Sequence, residues 1–429
     1  MSVLSVSAGL FPSDDKTILA VKILPFATEV RNPYHLALLL DTSGSMEGVR
    51  LEAVRRTLHL LVDTMKNDDI LTMVQYNSHA TVIVQSHTMD SDRAMLHIHI
   101  DNLRADGGTN LEAGLLCLEP IVHSVHSVFL LTDGHINEGM SHSSGLMKLL
   151  YRSLPAGTPV HTLGYGSDHN IHLLRDMSVR SRGSYTYADA AELIPAIVGD
   201  IVGGLESMVG QNGILSIPDG WRCLELGVHP EDKVYNVGSL IAEKEQWVVM
   251  EGPPMDTVLP PIRLQWKTGE HTQSAMCTMD ASIDSLQICE QRDRAYVVNV
   301  LGEVTEMLEQ GDIPKARATL VVLQQELERS LAKNTNLAIR LQSQVQEMVE
   351  ALRTVSYGNG VVPRMVSNSV ALGTQRGMVS RIQSAPEDPH MRDFVYTFSS
   401  PGQRTATQQM TEQFSQEPTA YTVQSRESS

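Results

Sequence analysis

Residues 35–45 read HLALLLDTSGS: an unbroken apolar run that ends in Asp41, Ser43 and Ser45, spaced by Thr42 and Gly44. A continuous apolar stretch bounded by turn formers is the signature of a parallel strand buried on both faces. Asp-x-Ser-x-Ser at its carboxyl end sets three oxygen-bearing side chains where an open α/β sheet gathers its ligands.

Outward from that strand, apolar runs alternate with amphipathic stretches from about Tyr34 to Leu205. Arg50–Met65 carries Leu51, Val54, Leu58, Leu61, Val62 and Met65 at helical spacing. Asp69–Gln75 and Ala80–Val84 read as strands, Leu111–Leu118 as a helix, Ser127–Leu131 as a second buried strand. Ser144–Leu154 is a further helix closed by Pro155, and Val160–Leu163 a further strand ending in Gly164 and Gly166. This alternation predicts a doubly wound, mostly parallel α/β sheet over residues 31–206.

The flanks are of another kind. Thr17–Leu24 is strand-like, and short runs separated by Gly, Pro or Asp return at Gly213–Ile217, Arg222–Val228, Val234–Leu240, Gln246–Glu251, Ile262–Lys267 and Ala275–Met279. They predict an antiparallel β-sandwich over residues 207–282, which the N-terminal strand or strands of residues 1–30, Thr17–Leu24 the one evident, are expected to join. Residues 283–355 read as a helical bundle built from Tyr296–Glu309, Ile313–Leu331 and Leu337–Leu352. Its expected core is Leu320, Leu323, Leu327, Ile339, Val345, Met348 and Leu352. Residues 356–429 are Ser/Thr/Gln-rich and are expected to be mostly disordered. An exception is Phe394, Tyr396 and Phe398, which alternate at strand period.

The formal charge of −17 repels phosphate backbones and anionic lipid, so nucleic acid is excluded as a first partner. Cys117, Cys223, Cys277 and Cys289 show no C-x-x-C spacing, against a zinc module or a disulfide scaffold. No apolar run approaches the ~18 residues of a membrane span. Met1–Asp15 lacks a basic n-region and an apolar h-region, so no secretory signal is expected and the expected setting is cytoplasmic.

Two further segments extend the strand-end pattern. Thr132-Asp133-Gly134 ends the second buried strand with another carboxylate, and Asp106-Gly107-Gly108-Thr109-Asn110 supplies a hydroxyl just before a helix. Carboxylate and hydroxyl oxygens suit a small, hard divalent ion such as Mg²⁺ or Mn²⁺.

Asp41, Ser43, Ser45, Thr109 and Asp133 resemble, in type and order, the metal-ion-dependent adhesion site of von Willebrand factor type A domains. Leu163–Gly166, Asp168-His169 and Gly183–Tyr185 look like the last strand and helix of that family. The resemblance implies direct coordination by Ser43 and Ser45, coordination by Thr109 directly or through water, and largely water-mediated roles for Asp41 and Asp133. It also implies an open ion position that an Asp or Glu carboxylate of a partner protein completes. The flanks are similar in outline to inter-alpha-inhibitor heavy chains, plant ubiquitin ligases carrying this domain and hedgehog/intein-associated type A proteins. No RING or autoprocessing cysteine pattern accompanies them.

The expected function is therefore non-enzymatic: a divalent-cation-dependent protein-binding module acting as a scaffold or adaptor. The runner-up is a non-catalytic subunit or substrate receptor of a ubiquitin or chaperone complex, with a hydrolase a distant third. Three plainer readings compete. Asp and Ser also cap helices. Gly164-x-Gly166 reads as a tight turn rather than a dinucleotide loop. His97 with His99, and His123 with His126, arise easily among 16 histidines.

Overall fold

The computed structural model describes residues 3–12, 15–28, 31–119, 121, 125–133, 136–155, 157–166, 169–188, 190–225, 228–229, 231–254, 258–352, 361–373 and 399–416. The chain opens with the hairpin strands β1 (Leu4–Pro12) and β2 (Thr17–Pro25). The α/β unit then runs through β3 (His35–Asp41), α1 (Val49–Thr64), β4 (Ile70–Tyr76), β5 (Ala80–Thr88), α2 (Arg93–Asp101) and α3 (Leu111–Leu118). It continues with β6 (Ser127–Thr132), α4 (Ser143–Ser153), β7 (Val160–Tyr165), α5 (Ile171–Ser181), β8 (Tyr185–Ala188) and α6 (Ile194–Glu206).

These strands form one six-stranded sheet in the order β5-β4-β3-β6-β7-β8, parallel except for the β4–β5 pair. Strand order reverses between β3 and β6, and the crevice at such a switch point is where open α/β sheets bind ligands. Side chains alternate across β3. Leu36, Leu38 and Leu40 pack with α1 and α6, while Ala37 and Leu39 pack with α3, α4 and α5. A two-sided burial of this kind is why the strand reads as unbroken apolar text rather than as alternation.

The remaining strands are β9 (Met208–Ser216), β10 (Arg222–Cys223), β11 (Val234–Ile241), β12 (Gln246–Gly252), β13 (Arg263–Thr268), β14 (His271–Met276) and β15 (Thr278–Met279). They form two sheets, β10-β12-β2-β1-β15 and β11-β9-β13-β14. β2 pairs antiparallel with β12, with Val21 opposite Val248, so the α/β unit is inserted between strands of one sheet. The expected Arg222–Val228 strand shortens to two residues, Arg222–Cys223. The β1–β15 pair is parallel, so the sandwich is not wholly antiparallel.

Helices α7 (Ser285–Glu309), α8 (Ile313–Arg329), α9 (Asn336–Ala351), α10 (Val361–Gly373) and α11 (Pro401–Gln416) complete the described chain. Asp284 and Gln287 form a capping box, so α7 starts well before Tyr296. Leu320, Leu323, Leu327, Val345, Met348 and Leu352 are buried in the bundle, but Ile339 is 52% exposed because Leu337, Ala338 and Leu341 take the inward face.

Of residues 356–429, expected to be mostly disordered, 361–373 and 401–416 form the helices α10 and α11, and the rest, 399 and 400 aside, lie outside the described residues. Met365, Val366, Val370 and Leu372 of α10 join the core. α11 has few apolar residues, yet Gln403, Ala406, Thr407, Met410 and Phe414 recur at helical spacing and are buried. Its partner makes this possible: α6 presents Gly199 and Gly203, which let the two backbones touch. The Phe394, Tyr396 and Phe398 segment lies outside the described residues.

Candidate metal centre

Asp41 closes β3 and Asp133 follows β6, so two neighbouring strands deliver carboxylates to the switch point. Both are buried, at 1% and 2% exposure. Asp41 Oδ1 accepts from the Ser43 backbone N–H at 2.9 Å, and Oδ2 accepts from the Thr132 hydroxyl at 2.6 Å. Burial pushes the Asp41 carboxyl above its usual range, and the charge of Asp133 adds to this. The hydrogen bonds from Ser43 and Thr132 work the other way.

The loop after β3 turns through a short 3-10 segment, Gly44–Met46, which brings Ser43 and Ser45 to the same spot. Their hydroxyls lie 3.1 Å apart, and Ser45 Oγ donates to Asp133 Oδ1 at 2.7 Å. Thr109 arrives from the other side, buried at the start of α3. Its loop is stitched to the first by Asp106 N–H to Thr42 O at 2.9 Å and by Gly44 N–H to Gly107 O at 3.1 Å. The backbone N–H of Thr109 donates to Asn137 Oδ1 at 2.7 Å, and Asn110 caps α3 by accepting from Ala113 N–H at 3.1 Å.

All five sequence-predicted residues thus stand at one end of the sheet, four of them in one hydrogen-bonded chain. Sequence reasoning missed three that hold them: Thr132 on Asp41, Asn137 on Thr109, and Arg50. The Arg50 guanidinium pairs with Asp133 Oδ2 and lies 5.2 Å from the Tyr165 ring centre. The i+5 spacing of Arg50 from Ser45, at the start of a helix, was the available signal.

Two buried carboxylates and two hydroxyls form a hard-oxygen donor set. Two carboxylates buried side by side, with one half-exposed guanidinium between them and water, make a site that a further cation would stabilise. The residues present fit a divalent ion.

Other histidine and glycine motifs have structural roles. Gly166 turns with φ +73°, and Gly164 leaves room for the His169 ring, whose Nε2 lies 2.7 Å from the Tyr185 hydroxyl. His97 meets His59 rather than His99, at 2.7 Å between Nδ1 atoms. His126 Nδ1 accepts from the His35 backbone N–H at 2.9 Å, and His123 lies outside the described residues. Among the described residues no helix is long and apolar enough to cross a membrane.

Residues 35–199 match the von Willebrand factor type A domain family. A protein of Synechocystis is 30% identical over 190 residues, covering 43% of this chain and 44% of its own length. Inter-alpha-trypsin inhibitor heavy chain H3 of Mesocricetus auratus is 25% identical over 166 residues, 35% of this chain and 18% of that protein. The chain therefore spans less than half the length of these curated relatives. In the solved von Willebrand factor type A protein from Catenulispora acidiphila the likeness covers 92% of this chain and 96% of that one, with a TM-score of 0.62 at 16% identity. The ArnB paralog VWA2 from Sulfolobus acidocaldarius has a TM-score of 0.61 at 15% identity, covering 88% of this chain and all of its own. Sandwich, α/β unit and helices thus recur together as one fold.

Proposed function

We propose that the von Willebrand factor type A domain of this chain, residues 35–199, holds one divalent cation, Mg²⁺ or Mn²⁺, and through it binds an acidic side chain of another protein. Asp41, Ser43, Ser45, Thr109 and Asp133 would hold the ion, which supplies a positive field that can take up a carboxylate. The observation that carries this reading is the burial of Asp41 and Asp133 together at the switch point, joined through Ser43 and Ser45. In a chain of net charge −17, a bound cation reconciles an acidic protein with an acidic partner.

The role is that of a non-enzymatic scaffold or adaptor. The Ser43 and Ser45 hydroxyls are engaged with each other and with Asp133, an arrangement suited to presenting lone pairs rather than a nucleophile. A cytoplasmic setting belongs to the same proposal and rests on Cys117, Cys223, Cys277 and Cys289 all being free thiols.

Titration calorimetry with Mg²⁺ and Mn²⁺ tests the reading. A single site is expected in the wild-type chain and none in Asp41→Ala. Equal affinity in both proteins overturns the assignment. Capture of partners that is lost in EDTA and restored by Mg²⁺ would then identify what the domain binds.

A further inference from the structure

We infer that Arg50 is the second half of the anion receptor: a partner's carboxylate that meets the bound ion with one oxygen is held by the Arg50 guanidinium with the other. The inference rests on the divalent-ion reading and adds to it a residue outside the five-residue ion set.

Three observations carry it. Arg50 sits in the first turn of α1, directly after the loop that bears Ser43 and Ser45, and its side chain is 37% exposed, so it borders both the buried carboxylates and solvent. Its orientation is fixed from below. One terminal nitrogen donates to both Ser45 O, at 3.2 Å, and Asp133 Oδ2, and the guanidinium carbon lies over the Tyr165 ring. The remaining donors are spare: a guanidinium carries five N–H groups in a planar fork, and all the hydrogen bonds of Arg50 to described residues run through that one nitrogen. Preorganised, half-exposed and with two nitrogens unspent among the described residues, Arg50 is matched to a carboxylate in the way a mobile lysine is not.

The same position sets a trade. A guanidinium beside Asp133 repels an incoming divalent ion and attracts the anion that follows it. Arg50→Ala should therefore weaken the carboxylate, whereas its ion affinity, raised by the lost repulsion and lowered by the freed Asp133 Oδ2, is measured separately. Loss of a charge-assisted hydrogen-bonded pair predicts a weakening of roughly 10- to 100-fold.

The test uses the full chain loaded with Mn²⁺, whose affinity is measured by calorimetry and whose bound water is followed by proton relaxation. Acetate is the carboxylate probe, and chloride at equal ionic strength is the control. Acetate should displace water from the wild-type complex, do so at least 10-fold more weakly in Arg50→Ala, and be only partly restored in Arg50→Lys, each protein compared at full Mn²⁺ occupancy set by its own measured Mn²⁺ affinity. Mn²⁺ binding with acetate affinity unmoved by Arg50→Ala overturns the role of Arg50 alone, as does a loaded wild-type chain indifferent to acetate. Absence of Mn²⁺ binding to the wild-type chain overturns the ion reading and, with it, this inference. If Arg50→Ala melts early, Arg50→Lys and Arg50→Gln carry the comparison.

Discussion

Ser45 and Asp133, 88 residues apart in the chain, share a hydrogen bond of 2.7 Å that joins the loop after β3 to the end of β6. The bond crosses the switch point of the sheet, so the two halves of the α/β unit are locked together at the place where the ligand is proposed to bind. Asp133 Oδ1 depends on that hydroxyl, since Arg50 holds only Oδ2. Ser45→Ala should therefore loosen Asp133 as well as delete a donor, lowering Mg²⁺ affinity at least 10-fold in calorimetry. The fold should lose only about 1.5–3 kcal/mol in urea, the net worth of one hydrogen bond to a charged group. An affinity unchanged in Ser45→Ala would separate this hydroxyl from the ion.

A second prediction concerns pH. His35 opens β3, buried, with Nε2 2.8 Å from the Thr72 hydroxyl. Burial, with His126 nearby, lowers its pKa from 6.5 to about 4. The native state then binds fewer protons than the unfolded chain between those values. The stability this confers is fully present above pH 6.5 and is lost as pH falls toward about 4. It amounts to about 3 kcal/mol, of which about 2 is gone by pH 5. Calorimetric melts in EDTA should show wild type losing more stability than His35→Gln between pH 7.5 and pH 5. Parallel pH profiles would show that His35 is as free to protonate in the native state as in the unfolded one.

The α/β unit and the gathering of Asp41, Ser43, Ser45 and Asp133 at its switch point were legible because one local rule places them: a buried strand is continuous apolar text, and an open α/β sheet presents the residues after its carboxyl end. Arg50 and Asn137 were not, because their roles depend on which loops the sheet order brings together. β1 hid in a stretch with ordinary alternation, Val6 and Ala8 inward, whose pairing with β2 only tertiary context reveals. α11 was illegible for a sharper reason. A helix as polar as PGQRTATQQMTEQFSQ contains too little apolar surface to announce itself, and its order derives from the glycines of α6, some two hundred residues earlier.

The third prediction is on the Arg294–Glu225 ion pair, in which neither side chain is exposed and the nitrogen–oxygen distance is 2.6 Å. Arg294 lies on α7 and also donates to Gln291 and to the Leu372 carbonyl of α10, while Glu225 accepts from Val249 N–H of β12. The pair therefore ties the sandwich to the helices. Removing one partner of a buried pair typically costs about 3–5 kcal/mol, because the other charge stays buried. Arg294→Met should show that loss, and Arg294→Met with Glu225→Gln should recover most of it, since a neutral amide still accepts from Val249. Urea unfolding followed by tryptophan fluorescence suits the test: Trp221, Trp247 and Trp266 all lie in the sandwich. Equal losses in the single and double variants would refute a charge-burial origin.

The last prediction is on the contact between α6 and α11. A Cβ at Gly203 would stand 2.6 Å from Gln403 Cα and 2.8 Å from the Gly402 carbonyl oxygen, backbone atoms that cannot rotate aside. Gly203→Ala must therefore push α11 outward, although alanine favours the α6 helix itself by about 1 kcal/mol over glycine. The two effects fall on different segments, so local measurements separate them. Hydrogen exchange over residues 403–414 should accelerate at least 10-fold while the six-stranded sheet keeps its protection. The contacts of Arg56 with Phe414, a hydrogen bond of 2.6 Å to its carbonyl and a guanidinium 3.9 Å from its ring centre, should be lost with it. Gly302→Ala on α7 is the control, because the nearest atom to its Cβ is the tip of Arg175 at 3.5 Å, ordinary contact, and only the helix-propensity gain should remain. Unchanged exchange in α11 of Gly203→Ala, with the melting temperature raised as in the control, would mean that the two helices can part by a few tenths of an ångström at no cost and that the glycines are not what seats α11.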